Sequence, residues 1–167
     1  MAREIERKFL LTDDSWKASA YQQTDFAQGY LTPLQGVSKS SVRIRIEGDS
    51  ANINIKSLEI GLSRDEYEYP INLADAEKML ATLAVGPVIK KTRYLVKHGE
   101  HVWEIDEFFG DNAGLVVAEV EMRDEDEKVE MPVWVGTEVT HEARYYNISL
   151  SEYPYQSWNE DEKNKNF

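Results

Sequence analysis

Charged residues occur at every second position in most of the extended segments of this sequence. Successive side chains of a β-strand point to opposite faces of the sheet, so residues two apart share a face. The N-terminal stretch therefore places Glu4, Glu6 and Lys8 on one face. Charged pairs that share a face follow along the chain: Arg43 with Arg45, Glu66 with Glu68, Lys91 with Arg93, Glu104 with Asp106, and Glu119 with Glu121. Any fold of this chain has to accommodate all of these charged faces.

A solvent-exposed sheet face would explain the alternation but not the sign of the charges. The N-terminal stretch taken alone fits such a face, because antiparallel sheets often have one side in water. Most of the later strands, however, carry charges of one sign on the face, and like charges at neighbouring same-face positions repel. Such clusters cost free energy unless groups of opposite charge are bound between them. The pattern therefore predicts a binding site.

The remaining periodicity indicates a domain dominated by strands. Alternation of apolar and polar residues predicts strands at 42–47, 51–57, 65–71, 91–97, 101–108 and 115–123. Apolar residues at helical spacing predict an amphipathic helix at 73–83, which Gly86 and Pro87 follow. We also expect a short helix at 13–21 and a helix at 140–150 capped by the hydroxyl of Thr140. The fold class is mainly β with peripheral helices, that is, α+β.

The composition limits the function classes. The chain has 167 residues, 41% of them hydrophobic, which is enough for one domain with a core. Its formal charge of −12 disfavours general binding to nucleic acid or to an anionic membrane. It has no cysteine, no signal-peptide pattern and no apolar run long enough to span a bilayer. We expect a cytoplasmic protein, and the sequence leaves a homodimer open.

A closed barrel would bring the charged faces together. About eight antiparallel strands enclose an interior that side chains can fill or that holds one small ligand. We therefore predict a closed eight-stranded antiparallel β-barrel with a charged lumen, which suits a compact polyanion. The carboxylates suit Mg²⁺ or Mn²⁺, because these ions prefer oxygen ligands. A polyanion together with such a cation indicates a phosphate chain. The cations expected in the lumen are Lys8, Arg43, Arg45, Lys56, Lys91 and Arg93.

The motifs resemble those of the CYTH superfamily, the triphosphate tunnel metalloenzymes. The segment at 4–8 has the ExExK signature of that family at its usual N-terminal position. The resemblance covers roughly the first 150 residues, and we expect a domain over 1–152 and a C-terminal tail over 153–167 that packs against the barrel. The other matching segments, in family order, are 28–31, 42–45, 55–56, 63–69, 90–94, 103–106, 118–121 and 136–140.

The resemblance implies roles for the charged residues. Glu4, Glu6, Glu119 and Glu121 would be metal ligands, and these four with Lys8 would form the catalytic set. The resemblance also implies that Glu104 and Asp106 lie at a second metal or orient its water. Arg7 should point outward, Arg64 should lie at the tunnel mouth or in it, and Glu66 and Glu68 would either bind metal or balance cations. The phosphate-binding residues would be Lys8, Arg43, Arg45, Lys56, Lys91 and Arg93.

The resemblance also implies a reaction, although not a single substrate. Compact members with SRDEYEY, GTEVT and RYYN segments look more like inorganic triphosphatases than like class IV adenylyl cyclases or thiamine triphosphatases. The expected reaction is metal-dependent hydrolysis of a triphosphate, with inorganic tripolyphosphate as the best substrate. An adenylyl cyclase and a non-catalytic polyphosphate-binding module remain the alternatives.

Overall fold

The charged strands close into a barrel. The computed structural model describes residues 2–33, 39–58 and 62–164, so the first residue of the expected domain and the last three of the expected tail lie outside the described residues. Nine strands are present in these ranges: β1 (Ala2–Leu11), β2 (Ala20–Tyr30), β3 (Ser40–Glu47), β4 (Ser50–Ser57), β5 (Ser63–Ile71), β6 (Val85–His98), β7 (His101–Phe108), β8 (Val116–Glu121) and β9 (Val135–Glu138).

The order of pairing confirms the predicted closed eight-stranded antiparallel barrel. Neighbouring strands run in the order β5, β4, β3, β2, β6, β7, β8 and β1, and β1 pairs back onto β5. One edge of β1 pairs with β8, which sets Glu6 opposite Glu121 and Lys8 opposite Glu119. The other edge pairs with β5 at its start and with β9 near its end. The barrel therefore closes at β1, the strand that carries the ExExK motif.

Apolar residues cover the outside of the barrel. Helix α1 (Leu73–Thr82) confirms the predicted amphipathic helix, and it packs Ala76 and Leu80 against Ile44 of β3. The Asn72 side chain caps it by accepting hydrogen bonds from the backbone N–H of Ala74 and of Asp75, at 2.9 and 3.3 Å. On another side, a cluster around Trp103, Trp134 and Trp16 covers β7, β8 and the turn before β2. With the apolar residues outside, the charged faces are left to the interior.

Two of the predicted helices differ from the structure. At 13–21 there is a single 3₁₀ turn, Ser15–Ser19, and β2 begins directly after it. At 140–150 the chain forms a 3₁₀ turn, Ala143–Tyr145, followed by the short helix α2 (Asn147–Glu152). Thr140 caps neither, because its hydroxyl accepts a hydrogen bond from the Lys8 backbone N–H and donates one to Glu138. Because the Thr140 hydroxyl is bonded to the barrel edge, it does not cap a helix.

The C-terminal segment packs on the outer surface of the barrel. Trp158 is 4% exposed and makes edge contacts with Tyr145 and Tyr155, each with ring centroids 5.1 Å apart. Its indole N–H donates to the carbonyl of Tyr153, and the backbone N–H of Tyr155 donates to the side chain of Asn112 at 2.8 Å. The segment ends in α3 (Glu160–Lys163). None of the helices in the described ranges is long and apolar enough to cross a membrane.

Candidate active site in the barrel lumen

The lumen consists of two adjoining cavities. The inner cavity has a volume of about 260 Å³, and Ala143 and residues 146–149 form one of its walls. The outer cavity, about 790 Å³, is lined by the side chains of β5 and by Glu47 and Glu121. Four residues line both cavities and so mark the junction between them: Glu4, Arg45, Arg93 and Glu104.

Most of the residues predicted for the site face this lumen. Glu121 lines the outer cavity, together with Glu66 and Glu68. Lys91 and Asp106 line neither cavity, although they share a strand face with residues that do. The predicted residues that line the inner cavity are Glu4, Glu6, Lys8, Arg43, Arg45, Lys56, Arg93, Glu104 and Glu119.

Asp106 is held between two cations of the barrel wall. Its Oδ2 lies 2.7 Å from Lys91 Nζ, and Arg93 donates to both oxygens at 2.8 and 2.9 Å. Burial would raise the pKa of Asp106, but Arg93 and Lys91 hold that pKa well below its usual range. Burial lowers the pKa of Lys91 to about 7, although Asp106 opposes the shift. Both oxygens of Asp106 therefore serve to fix cations in place.

Carboxylates crowd together on β1 and β8. Burial raises the pKa of Glu6 well above its usual value, and the nearby Glu119 and Glu4 raise it further. Burial also acts on Glu119, but Lys8 and Arg93 outweigh it and hold that pKa well below the usual range. The two carboxyl groups contact each other by a hydrogen bond. Burial and the neighbouring carboxylates therefore favour the protonated form of Glu6, whose carboxyl group can donate to Glu119.

The donor chemistry of this cluster fits a hard divalent cation, but its present arrangement is not a finished coordination sphere. Across 2–33, 39–58 and 62–164, no three Asp, Glu or His side chains are already arranged to hold an ion. The Glu4 carboxylate is drawn instead onto Lys56 and Arg64, at 2.9 and 3.5 Å. Repulsion among the carboxylates, which adds to burial in raising the pKa of Glu6 and of Glu121, is what a bound cation relieves.

The opposite wall has an excess of positive charge. Arg43 is 6% exposed, and its Nε is buried without a hydrogen-bond partner in the described residues. Burial lowers the pKa of Arg45 to about 10, with further lowering by Arg43 and Arg93. The pKa of Lys56 is lowered by burial and then by Arg43. Cations that repel one another in this way form a site for an anion.

Arg64, expected from the sequence at the tunnel mouth or in it without a role in the site, lines the inner cavity and lies 3.2 Å from Glu6. Phe26 and Tyr146 were not predicted. The ring of Phe26 lies beneath the guanidinium groups of Arg45 and Arg93, each 4.9 Å from its centroid. Tyr146 lies against Lys8 and against Arg64, at 4.9 and 5.2 Å, although it belongs to a distant segment. Arg7 points outward, as expected, and pairs with Glu138.

The closed barrel, whose lumen carries both cationic and anionic side chains, defines a class of protein that encloses a charged ligand within a single antiparallel sheet. The CYTH domain family matches residues 2–152, so this chain belongs to the CYTH family.

Relatives of known name share nearly the whole chain. An inorganic triphosphatase of Acetivibrio thermocellus is 39% identical over 160 residues, which cover 96% of this chain and 100% of the relative. An inorganic triphosphatase of Nitrosomonas europaea is 37% identical over 152 residues, or 89% of this chain and 96% of the relative.

Solved structures agree with the fold. The crystal structure of an inorganic triphosphatase superposes with a TM-score of 0.64 at 33% identity and covers 90% of this chain and 95% of its own. A Hippeastrum protein for which a dominant triphosphatase activity is described superposes with a TM-score of 0.58 at 17% identity, over 72% of this chain and 80% of its own. At that identity the second likeness shows the fold alone.

Proposed function

We propose that the lumen binds a short triphosphate, best inorganic tripolyphosphate, and hydrolyses it to diphosphate and phosphate. The observation that carries this proposal is the pairing of a buried cationic wall, with the unpartnered Nε of Arg43, and an acidic wall in one cavity. Cations would be enough to bind a phosphate chain. The carboxylates in the same cavity are the groups that would bind a metal ion. Relatives that are 37 and 39% identical are inorganic triphosphatases, which supports the same substrate here.

The cationic residues hold the phosphate chain. Arg43, Arg45 and Lys56 would neutralise its oxygens along β3 and β4, and the guanidinium groups can each make two parallel hydrogen bonds to a phosphate. Arg93 is fixed by Asp106 and Glu104 and so presents its charge at the junction of the two cavities. Because these groups are in place before the reaction, they stabilise the charge of the transferring phosphoryl group without reorganisation.

The carboxylates would hold the divalent cation, Mg²⁺ or Mn²⁺. We assign Glu4, Glu6, Glu119 and Glu121 to this role, with Glu104 beside them, and we assign Asp106 to positioning Arg93 and Lys91. When bound, the cation supplies Lewis acidity to the phosphate oxygens and to the attacking water. Lys8 stays between Glu119 and the plane of Tyr146, where it can contact a phosphate oxygen.

A substrate panel tests the proposal. The purified protein is incubated with tripolyphosphate, ATP or thiamine triphosphate and with Mg²⁺ or Mn²⁺, and released phosphate and cyclic AMP are measured. We expect phosphate release, fastest from tripolyphosphate and absent when the metal is chelated. Formation of cyclic AMP from ATP would make the protein a cyclase, and binding without turnover would make it a polyphosphate-binding module.

The remaining sequence predictions stay predictions. A cytoplasmic location, the absence of nucleic-acid and membrane partners, and the choice between monomer and homodimer rest on composition, chiefly on the formal charge of −12. The small-molecule triphosphate is the one partner that the lumen supports.

A further inference from the structure

We propose that Asn147 is a substrate-binding residue whose side-chain amide nitrogen donates a hydrogen bond to the phosphate group nearest α2 in the inner cavity. The inference rests on the proposed function in one respect, namely that the lumen takes a triphosphate. It concerns a residue outside the barrel strands, at the start of α2, and it gives this helix a part in recognising the substrate.

A chain of hydrogen bonds fixes the orientation of the Asn147 amide. The guanidinium of Arg45 can only donate, so the Gln28 atom 3.0 Å from its Nε must be the amide oxygen. The other end of the Gln28 amide is then the nitrogen, which donates to Asn147 at 2.9 Å. The Asn147 atom that receives this bond must be its oxygen. Lys91 Nζ donates to the same oxygen at 3.0 Å.

The orientation leaves the amide nitrogen of Asn147 directed to the cavity. Both donors to its oxygen belong to the barrel wall, and neither Gln28 nor Lys91 lines the inner cavity. Asn147 does line it, and the hydrogen bonds of its side chain to described residues are the two that its oxygen accepts. A donor that faces a cavity while its oxygen is held by two partners is oriented before any ligand arrives.

The surroundings of this nitrogen fit a phosphate oxygen. The neighbouring Tyr146 packs against Lys8 and Arg64, so the same wall of the cavity is close to two cations. Ser149, two residues after Asn147, also lines the cavity and offers a hydroxyl. A phosphate drawn to these cations meets neutral donors from α2, which satisfy its oxygens without adding a charge. The cavity wall formed by Tyr146 and the start of α2, here called the α2 wall, would thus contact an end of the phosphate chain. It would favour substrates short enough to end there.

Two variants separate loss of the donor from loss of structure. Asn147→Asp keeps the oxygen that Gln28 and Lys91 contact and replaces the nitrogen by a second, negatively charged oxygen. Asn147→Ala removes the donor without adding a charge. Asn112→Ala is the matched control, because Asn112 anchors the C-terminal segment through the Tyr155 backbone N–H and lies outside both cavities.

The measurement is calorimetric binding of tripolyphosphate to each variant without divalent metal, so that no substrate is turned over. We expect Asn147→Ala to weaken binding about tenfold, as for a hydrogen bond to a charged group. Asn147→Asp should weaken it further, with an unfolding temperature at or above that of the wild type because Lys91 gains a charged partner. Asn112→Ala should lower the unfolding temperature and bind normally.

The proposal is overturned if Asn147→Ala binds tripolyphosphate like the wild type, or if Asn112→Ala loses as much affinity as Asn147→Ala. A failure of the proposed function looks different, because the wild type would then bind tripolyphosphate without hydrolysing it, or would not bind it at all. In the first of those cases the Asn147 variants are still informative. In the second, both proposals fall together, which the wild-type titration alone reveals.

Discussion

The two cavities of the lumen differ in how their charges are compensated. In the inner cavity Arg43 has an unpartnered nitrogen, and Arg43 and Arg45 depress the pKa of neighbouring cations. In the outer cavity the carboxylates predominate, and burial together with the charges of Glu4, Glu104 and Glu66 raises the pKa of Glu121. Among the described residues, the inner cavity therefore has an excess of cations over its four carboxylates, and the outer cavity has an excess of carboxylates over its two cations. An excess of positive charge suits a phosphate chain, and the carboxylates of both cavities suit a divalent cation.

The cations of the lumen also differ in whether they are paired with a carboxylate of the protein. Arg93 is bound by Asp106 at 2.8 Å and by Glu104 at 2.6 Å, whereas Arg43 has no ion pair among the described residues. Burying an unpaired charge costs free energy in the folded state, and a ligand of opposite charge recovers it. Binding and stability are thus expected to oppose each other at Arg43 and to coincide at Arg93.

The largest effect should come from Glu119→Gln. The substitution keeps the shape of the side chain and removes the charge next to Lys8 and Glu6. We expect hydrolysis of tripolyphosphate to fall about a hundredfold or more, because a preorganised electrostatic contact to the reacting groups is lost. Phosphate release measures the effect. The matched control is Glu138→Gln on the outside of the barrel, which should keep its rate within about twofold, and equal losses in both would remove Glu119 from the site.

Arg43→Ala and Arg93→Ala should differ in the sign of their effect on stability. The first removes an uncompensated cation, so the unfolding temperature without ligand should rise by about 2 °C or more, while KM rises about tenfold to a hundredfold. The second leaves Asp106 and Glu104 without their partner and should destabilise the protein by about 3 kcal/mol or more. Thermal unfolding and steady-state kinetics measure both. If the two variants lose stability alike, Arg43 is a structural residue.

Trp158→Ala tests whether the C-terminal segment supports the α2 wall. The side chain is nearly buried against Tyr145, so truncation should cost about 3–5 kcal/mol. Only Tyr146 separates Tyr145 from α2, so loss of the Trp158 ring, unlike loss of the single hydrogen bond that Asn112 makes to the segment, should also weaken binding of tripolyphosphate. Tyr21→Ala is the control, since that ring is 59% exposed and its loss should change neither quantity. A Trp158 variant as stable as the wild type would show that the segment does not contribute.

The smallest effect concerns pH. A carboxyl whose pKa is raised on folding stabilises the protein below its unfolded value of about 4.5, and that contribution is lost as the pH rises through the folded pKa. The metal-free protein should therefore lose stability above pH 4.5 in the range where Glu6 titrates, and the stabilisation by added Mg²⁺ should grow over the same range. Glu6→Gln should flatten both trends. Unchanged slopes in that variant would assign the titration to another group.

The period-two alternation predicted the barrel and most of the lumen, because it reports which face each side chain takes. It does not show which positions of the lumen face are open to a cavity and which are covered by other segments. Lys91 and Asp106 share the lumen face with Arg93 and Glu104, yet α2 covers that part of the wall through Asn147 and excludes them from both cavities. Contacts of this kind join segments more than fifty residues apart. No local pattern in the sequence records them.

Arg64 and Phe26 illustrate a second limit. Arg64 lies in the site because barrel closure pairs β5 with β1, as in its contact with Glu6. Phe26 lies there because β2 pairs with β3 and β6, which carry Arg45 and Arg93. Arg64 has no second cation two residues away on β5, so it lacks the like-charged pair that identified the other cations of the lumen. A ring that lies under cations looks, in the sequence, like any other apolar strand residue.

The measurement that tests the central claim most directly is phosphate release from tripolyphosphate by the wild-type protein, with Mg²⁺ or Mn²⁺ and after chelation. We expect one phosphate and one diphosphate per tripolyphosphate in the presence of metal, no release after chelation, and no more than residual release by Glu119→Gln. A folded wild-type protein that releases no phosphate from tripolyphosphate with either metal would contradict it.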